Sequence, residues 1–212
     1  SGRAAIEQLI GYNVLKELIL AYTSDSVGAS ILASGLSDNR SLEKIDLEGT
    51  FVVGEGSETF RALCESLGGN TTLRHMDVRA NGVILDSICA TALKLDTMSL
   101  ERLDLNNNTF TSCGIAALSQ SLQGLCTLKE LGLGSCDLDD TGLLKLGEVL
   151  TSNVSLEVLD VRENNFTHNG VSQFFELLPQ MKGLKTVYGL VVEMNDGPPT
   201  AAVGMELLDV HR

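Results

Sequence analysis

The stretches Leu100–Asn108 (LERLDLNNN), Leu128–Cys136 (LKELGLGSC) and Leu156–Asn164 (LEVLDVREN) share one template. Aliphatic residues fill the first, fourth and sixth places. Residues two apart, such as Leu103 and Leu105, point to one face of an extended strand. Outward from these copies, LEKIDLEGT from Leu42 and LRHMDVRAN from Leu73 fit with apolar swaps, and weaker copies begin at Leu15 and Leu184. The successive steps are 27, 31, 27, 28, 28 and 28 residues. Near-equal spacing over that many copies identifies an internal repeat, each copy being one supersecondary unit that buries its apolar face against its neighbours.

The ninth place holds Asn81, Asn108 and Asn164, with Thr50 and Cys136 in two other copies. An asparagine there can bond backbone groups as the chain leaves the strand, which makes Cys136 a structural substitute rather than a reactive thiol. The second half of each unit reads as a helix. Gly114, Leu118 and Leu122 are spaced by four, as are Gly142, Leu146 and Leu150, and Gly170, Phe174 and Leu178. Two copies are irregular. Val52–Ser57 (VVGEGS) lengthens the unit from Leu42 and predicts a protruding loop, and LDSICATALKLD from Leu85 predicts a distorted helix.

This pattern resembles the leucine-rich repeat, and the period near 28 is similar to the ribonuclease-inhibitor subfamily. The resemblance implies an α/β solenoid, a horseshoe arc with parallel strands on the concave face and helices on the convex face. Residues 1–212 form one repeat domain on this reading. Residues 1–14 are the helical half of a partial repeat, 15–190 hold six to seven repeats, and 191–212 are an irregular loop and a partial helix. Either the flanks belong to a longer protein, or these irregular ends cap the stack.

The arc implies that residues alternating with the core leucines face a partner. The central column is Ile19, Asp46, Asp77, Asp104, Gly132, Asp160 and Tyr188; the next is Ala21, Glu48, Arg79, Asn106, Gly134, Arg162 and Leu190. On the other side lie Glu17, Lys44, His75, Arg102, Glu130, Val158 and Thr186. The candidate protein-binding residues are Tyr22, Asp46, Glu48, Asp77, Arg79, Asp104, Asn106, Asp160, Arg162 and Tyr188. Asp46, Asp77 and Asp104 are like charges in consecutive rungs. They form either an acidic stripe awaiting a basic side chain or a habit of the repeat, offset by the basic columns beside it. Gly132 and Gly134 predict a bare patch where a bulky partner side chain approaches the backbone.

Composition narrows the partner. Fifteen basic and 28 acidic residues give a formal charge of -13, a field that repels phosphate backbones and anionic lipid heads. A protein with a basic or mixed-charge surface is expected, with no nucleic acid and no membrane. The five cysteines (Cys64, Cys89, Cys113, Cys126, Cys136) are odd in number and show no CxxC spacing, which argues against zinc and a disulfide framework. Reduced thiols and an intracellular, cytoplasmic location follow. His75, His168 and His211 are scattered, so neither metal nor cofactor is expected, nor an enzyme. Glycosylation sequons at Asn39, Asn70, Asn107, Asn153 and Asn165 mostly coincide with places where the repeat supplies Asn and Ser/Thr. The leading expectation is a non-catalytic recognition scaffold. The alternatives are a small-GTPase regulator resembling the Ran GTPase-activating protein, whose functional residues find no matching motif here, and a structural spacer.

Overall fold

The structure, a computed structural model, describes residues 8, 10–22, 35–51, 54–67, 70–92, 99–123 and 127–190. Seven strands of three residues form one all-parallel sheet: β1 (Glu17–Ile19), β2 (Lys44–Asp46), β3 (His75–Asp77), β5 (Arg102–Asp104), β7 (Glu130–Gly132), β8 (Val158–Asp160) and β9 (Thr186–Tyr188). Each pairs with the next copy in chain order. The register links Glu17, Lys44, His75, Arg102, Glu130, Val158 and Thr186, and likewise Ile19, Asp46, Asp77, Asp104, Gly132, Asp160 and Tyr188. Two of the expected columns are therefore rows of paired residues.

Between those rows the middle residue of each strand turns inward. Leu18, Ile45, Met76, Leu103, Leu131, Leu159 and Val187 are all buried, as are Leu47, Val78, Leu105, Leu133 and Val161 two places on. They meet the helices α1 (Gly56–Ser66), α2 (Ser87–Ala92), α3 (Ser112–Ser121), α4 (Asp140–Leu150) and α5 (His168–Leu177), each packed against the next. Phe60, Leu63, Leu118, Leu146 and Phe174 supply the helical side of the core. Side-chain caps fix three helix starts. Thr111, Asp139 and Thr167 accept from the N–H groups of Gly114, Gly142 and Gly170, at 3.1, 2.8 and 3.4 Å. Gly114 is required by close approach, because a Cβ there would run into the Leu85 carbonyl.

The expected asparagine ladder is present. Asn108 Nδ2 donates to the Val78 and Leu105 carbonyls (3.1 and 3.0 Å), and its Oδ1 accepts from Asn81 and Val83 N–H. Asn81 and Asn164 do the same between their own rungs. At Cys136 the thiol donates to the Leu105 carbonyl at 3.3 Å, and burial pushes it up to about 12, which fits a structural group rather than a nucleophile. A second row guards the approach to the strands. Asn39, Asn70 and Asn153 are buried, and each Oδ1 accepts two backbone N–H groups. Three of the five sequons are thereby held inside the fold.

Several expectations need correction. Leu85, placed at the start of a helix, lies instead in β4 (Ile84–Leu85), which pairs in parallel with β6 (Thr109–Phe110) in a second two-stranded sheet. The helix begins at Ser87, where Asp86 Oδ1 accepts from Ile88 and Cys89 N–H. In the predicted loop, Gly54 and Glu55 are exposed, but Gly56 and Ser57 already belong to α1; Val52 and Val53 lie outside the described residues. So do residues 93–98, most of the expected helix in 1–14, and all of 191–212. Leu190, assigned to the concave face, is buried, and follows Gly189 at φ +96°, a backbone conformation outside the strand region.

Candidate functional site

The face opposite the helices carries the candidate residues in two groups. In the first, Tyr22 lies on the turn leaving β1, 67% exposed, with its ring over Gly49 and its hydroxyl donating to Glu48 Oε1 at 2.7 Å. Arg79 Nη2 stands 3.1 Å from Glu48 Oε2, and its Nε stands 3.2 Å from Asp77 Oδ2. Asp77 sits between Asp46 and Asp104. Burial pushes its carboxyl up to about 6, with both neighbouring carboxylates adding to the shift, against the Arg79 N–H and guanidinium.

In the second group, Arg162 binds Asp160 through two bonds, Nε to Oδ1 at 2.9 Å and Nη2 to Oδ2 at 2.8 Å, and lies 5.6 Å from the Tyr188 ring centre. Burial alone would raise the Asp160 carboxyl, yet its bonds from Arg162 hold it below the usual range. Asn106 reaches across the glycine rung. Its Oδ1 accepts the Gly134 N–H, and its Nδ2 lies 3.4 Å from Asp160 Oδ2, two strands away. A Cβ at Gly132 would stand 2.9 Å from Asn106 Oδ1 and one at Gly134 3.2 Å, so a side chain at either place would press the amide aside. The predicted bare patch is thus partly covered by Asn106 at Gly134, while over Gly132 a cavity of about 490 Å³ remains, walled by Asp104, Glu130, Val158, Asp160 and Tyr188.

A further regularity explains the central aspartates. Asp46, Asp77, Asp104 and Asp160 each accept through Oδ1, at 3.1 Å, the N–H of the residue two places on. The repeat uses this carboxylate as a backbone latch. One oxygen of each therefore serves the fold, as a habit of the repeat would, and at Asp77 and Asp160 the other stands against Arg79 and Arg162.

Sequence reasoning overlooked the place just before these columns. Lys16, Glu43, Arg74, Glu101, Lys129, Glu157 and Lys185 alternate in sign at every rung. Lys16–Glu43 (2.6 Å), Arg74–Glu101 (3.6 Å), Lys129–Glu101 (2.7 Å) and Lys185–Glu157 (2.7 Å) are ion pairs along this rim. The alternation was visible in the second letter of each repeat once the copies were stacked. Arg102 and Glu130, paired at 2.9 Å, also wall the cavity without having been chosen as candidates.

His75 is exposed on the same face as Asp77. Among the described residues no three His, Cys, Asp or Glu side chains are placed to hold a metal ion, and no helix is long and apolar enough to cross a membrane.

Comparison with known proteins places this architecture. Leucine Rich repeat models match residues 99–121, 124–147 and 152–175. Human NACHT, LRR and PYD domains-containing protein 14 is 26% identical over 187 residues, covering 86% of this chain and 17% of that protein. Mouse ribonuclease inhibitor is 31% identical over 158 residues, covering 72% of this chain and 34% of that protein. The chain therefore spans about a third or less of the length of these relatives. Among solved structures, leiomodin-1 actin-binding site 2 superposes with a TM-score of 0.48 at 16% identity, covering 84% of this chain and 86% of that one. With its period near 28, its parallel rungs and these relatives, the chain is a leucine-rich-repeat protein of the ribonuclease-inhibitor-like type.

Proposed function

We propose that the chain is a non-catalytic recognition module, one repeat domain with six to seven repeats over residues 15–190, whose concave strand face holds a protein partner with a basic or mixed-charge surface. One observation carries this reading. The rim of the strand face neutralises itself by alternating ion pairs, whereas the central column sets Asp46, Asp77 and Asp104 in like-charge register. Such a column gains from a cation brought by another molecule. The relative named ribonuclease inhibitor is, by that name, a protein acting on another protein.

An intracellular, cytoplasmic setting fits two further features. Cys64, Cys89, Cys113 and Cys136 are free thiols, with Cys113 exposed, and the sequon residues Asn39, Asn70 and Asn153 are buried.

The test is comparative capture from a cell lysate. The chain is set beside a variant with Asp46, Asp77, Asp104 and Asp160 changed to Asn, and beside a second with Glu17, Glu43, Glu101 and Glu157 changed to Gln. Both variants lose the same charge. A partner identified by mass spectrometry should be lost from the first and kept by the second, with circular dichroism unchanged. Equal retention by both would move binding off the strand face and defeat this reading.

A further inference from the structure

Gly132 interrupts the column of carboxylates and leaves a notch between Asp104 and Asp160 in adjacent strands. Strands stand about 4.8 Å apart, so the notch is about one side chain wide. A Cβ at Gly132 would stand 2.8 Å from Asp104 Oδ1 and 2.9 Å from Asn106 Oδ1. Two oxygen acceptors therefore converge on the space that a side chain there would take. The notch opens into the cavity already described.

The charge state of its walls is uneven. Asp160 is engaged by Arg162, and Asp77 has Arg79 beside it. Asp104 is the most enclosed of the central carboxylates, only 6% exposed, and its Oδ1 accepts the Asn106 N–H at 3.1 Å. Among the described residues its Oδ2 accepts no hydrogen bond, and no Lys, Arg or His nitrogen lies within 4.0 Å. Arg79 acts on it through space but not by contact, so a cation that enters the cavity supplies the direct counter-charge that Asp104 lacks.

We propose that the notch over Gly132 receives one basic side chain, a lysine or arginine of a protein partner, with Asp104 as its counter-charge. This deepens, and rests on, the reading of the strand face as the binding surface. The cavity lining sets Asp104, Glu130 and Asp160 against Arg102 and Arg162, which pair with the last two, so the charge left over is that of Asp104 and favours a cation over an anionic or apolar group. An ammonium or guanidinium can bond Asp104 and the Asn106 carbonyl together, and charge-assisted bonds of this kind are the strong ones. Because Gly132 carries no side chain, the cavity above that strand stays open to an arriving one.

Fluorescence anisotropy of a labelled hexalysine peptide with the whole chain, at low salt, provides the test. Asp104→Asn, which keeps the Oδ1 acceptor for Asn106, should weaken binding about tenfold or more. Gly132→Val, which removes no charge but fills the notch, should weaken it by about fivefold or more, provided circular dichroism shows it folded. Glu101→Gln, one charge lost on the rim, should change affinity less than about twofold. If Asp104→Asn is no weaker than Glu101→Gln, the notch is overturned. The variant with all four central aspartates changed to Asn then separates the two ideas. Weaker binding by it leaves the strand face as the binding surface without the notch; unchanged binding removes both.

Discussion

Two columns cross the same seven rungs, one charged in every rung and the other only at Asp46, Asp77, Asp104 and Asp160, and they differ in the order of their signs. On the rim, Lys16, Glu43, Arg74, Glu101, Lys129, Glu157 and Lys185 alternate, so each group meets its opposite in the neighbouring rung. Three residues further along each strand, Asp46, Asp77 and Asp104 repeat one sign in register. At a strand spacing of about 4.8 Å, two fully hydrated like charges repel by roughly 1 kcal/mol. The rim needs nothing from outside. The centre is tolerated because each aspartate latches a backbone N–H and because Arg79 and Arg162 offset part of the charge. The same repeat can thus build a surface that is electrostatically closed beside one that is open to a partner.

Both columns stand on the buried middle residue of each strand, and removing that support has the largest effect. Leu131, paired in register with Leu103 and Leu159, lies directly between Glu130 and Gly132. Leu131→Ala is expected to lower stability by about 2–5 kcal/mol, and with it to blur any difference between the columns. Chemical denaturation followed by circular dichroism measures this. A midpoint unchanged from the parent would mean that Leu131 does not carry the sheet.

The next effect isolates the centre. The Asp77 carboxyl is raised to about 6 by burial first and by Asp104 and Asp46 after it. Its folded form therefore holds the proton more tightly than the unfolded chain does. Ionising it costs the fold above about pH 6, and the cost fades as pH falls towards 4. Asp77→Asn keeps an oxygen for the Arg79 N–H and removes the charge. It should stabilise the protein by about 1–2 kcal/mol near pH 7.5, less than the full shift would give because the group is partly solvated, and by nothing measurable near pH 4. Thermal melts at both values provide the readout. A gain that persists at pH 4 would show that packing, and not charge, is responsible.

How far the sequence shows this contrast depends on what repeats. The columns are legible because the spacing pins the register, and every rung from Glu17 to Tyr188 pairs as the alignment requires. Asn81, Asn108 and Asn164 are legible for the same reason. What is not legible arises where the frame overrides local preference. The eighth residue of six copies has positive φ: Tyr22, Gly49, Ala80, Asn107, Ser135 and Glu163. Glycine and asparagine favour that region, whereas tyrosine, alanine, serine and glutamate are forced into it by the turn. Leu85 reads as helical and becomes a strand because Phe110 of the next copy offers a partner. Asn106 contacts Asp160 across an intervening rung, a separation of 54 residues that no local pattern encodes.

The smallest effect belongs to the rim and is diagnostic through its salt dependence. Glu101 accepts a hydrogen bond from Lys129 at 2.7 Å and pairs with Arg74 across 3.6 Å, and its carboxyl is held below the ordinary range chiefly by the hydrogen bond and charge of Lys129. The group is exposed, so water and ions screen both pairs. At about 1 M salt the screening length is about 3 Å, comparable to the pair distances themselves. Glu101→Gln should therefore melt slightly below the parent in dilute buffer and together with it at about 1 M sodium chloride. Asp77→Asn, whose neighbours are partly shielded from solvent, should keep more of its difference at high salt. If salt erases both differences equally, burial does not distinguish the two columns. If it erases only the rim's, the alternating edge is a solvent-level device that sets register, and the central carboxylates are the part of the face whose charge a partner feels.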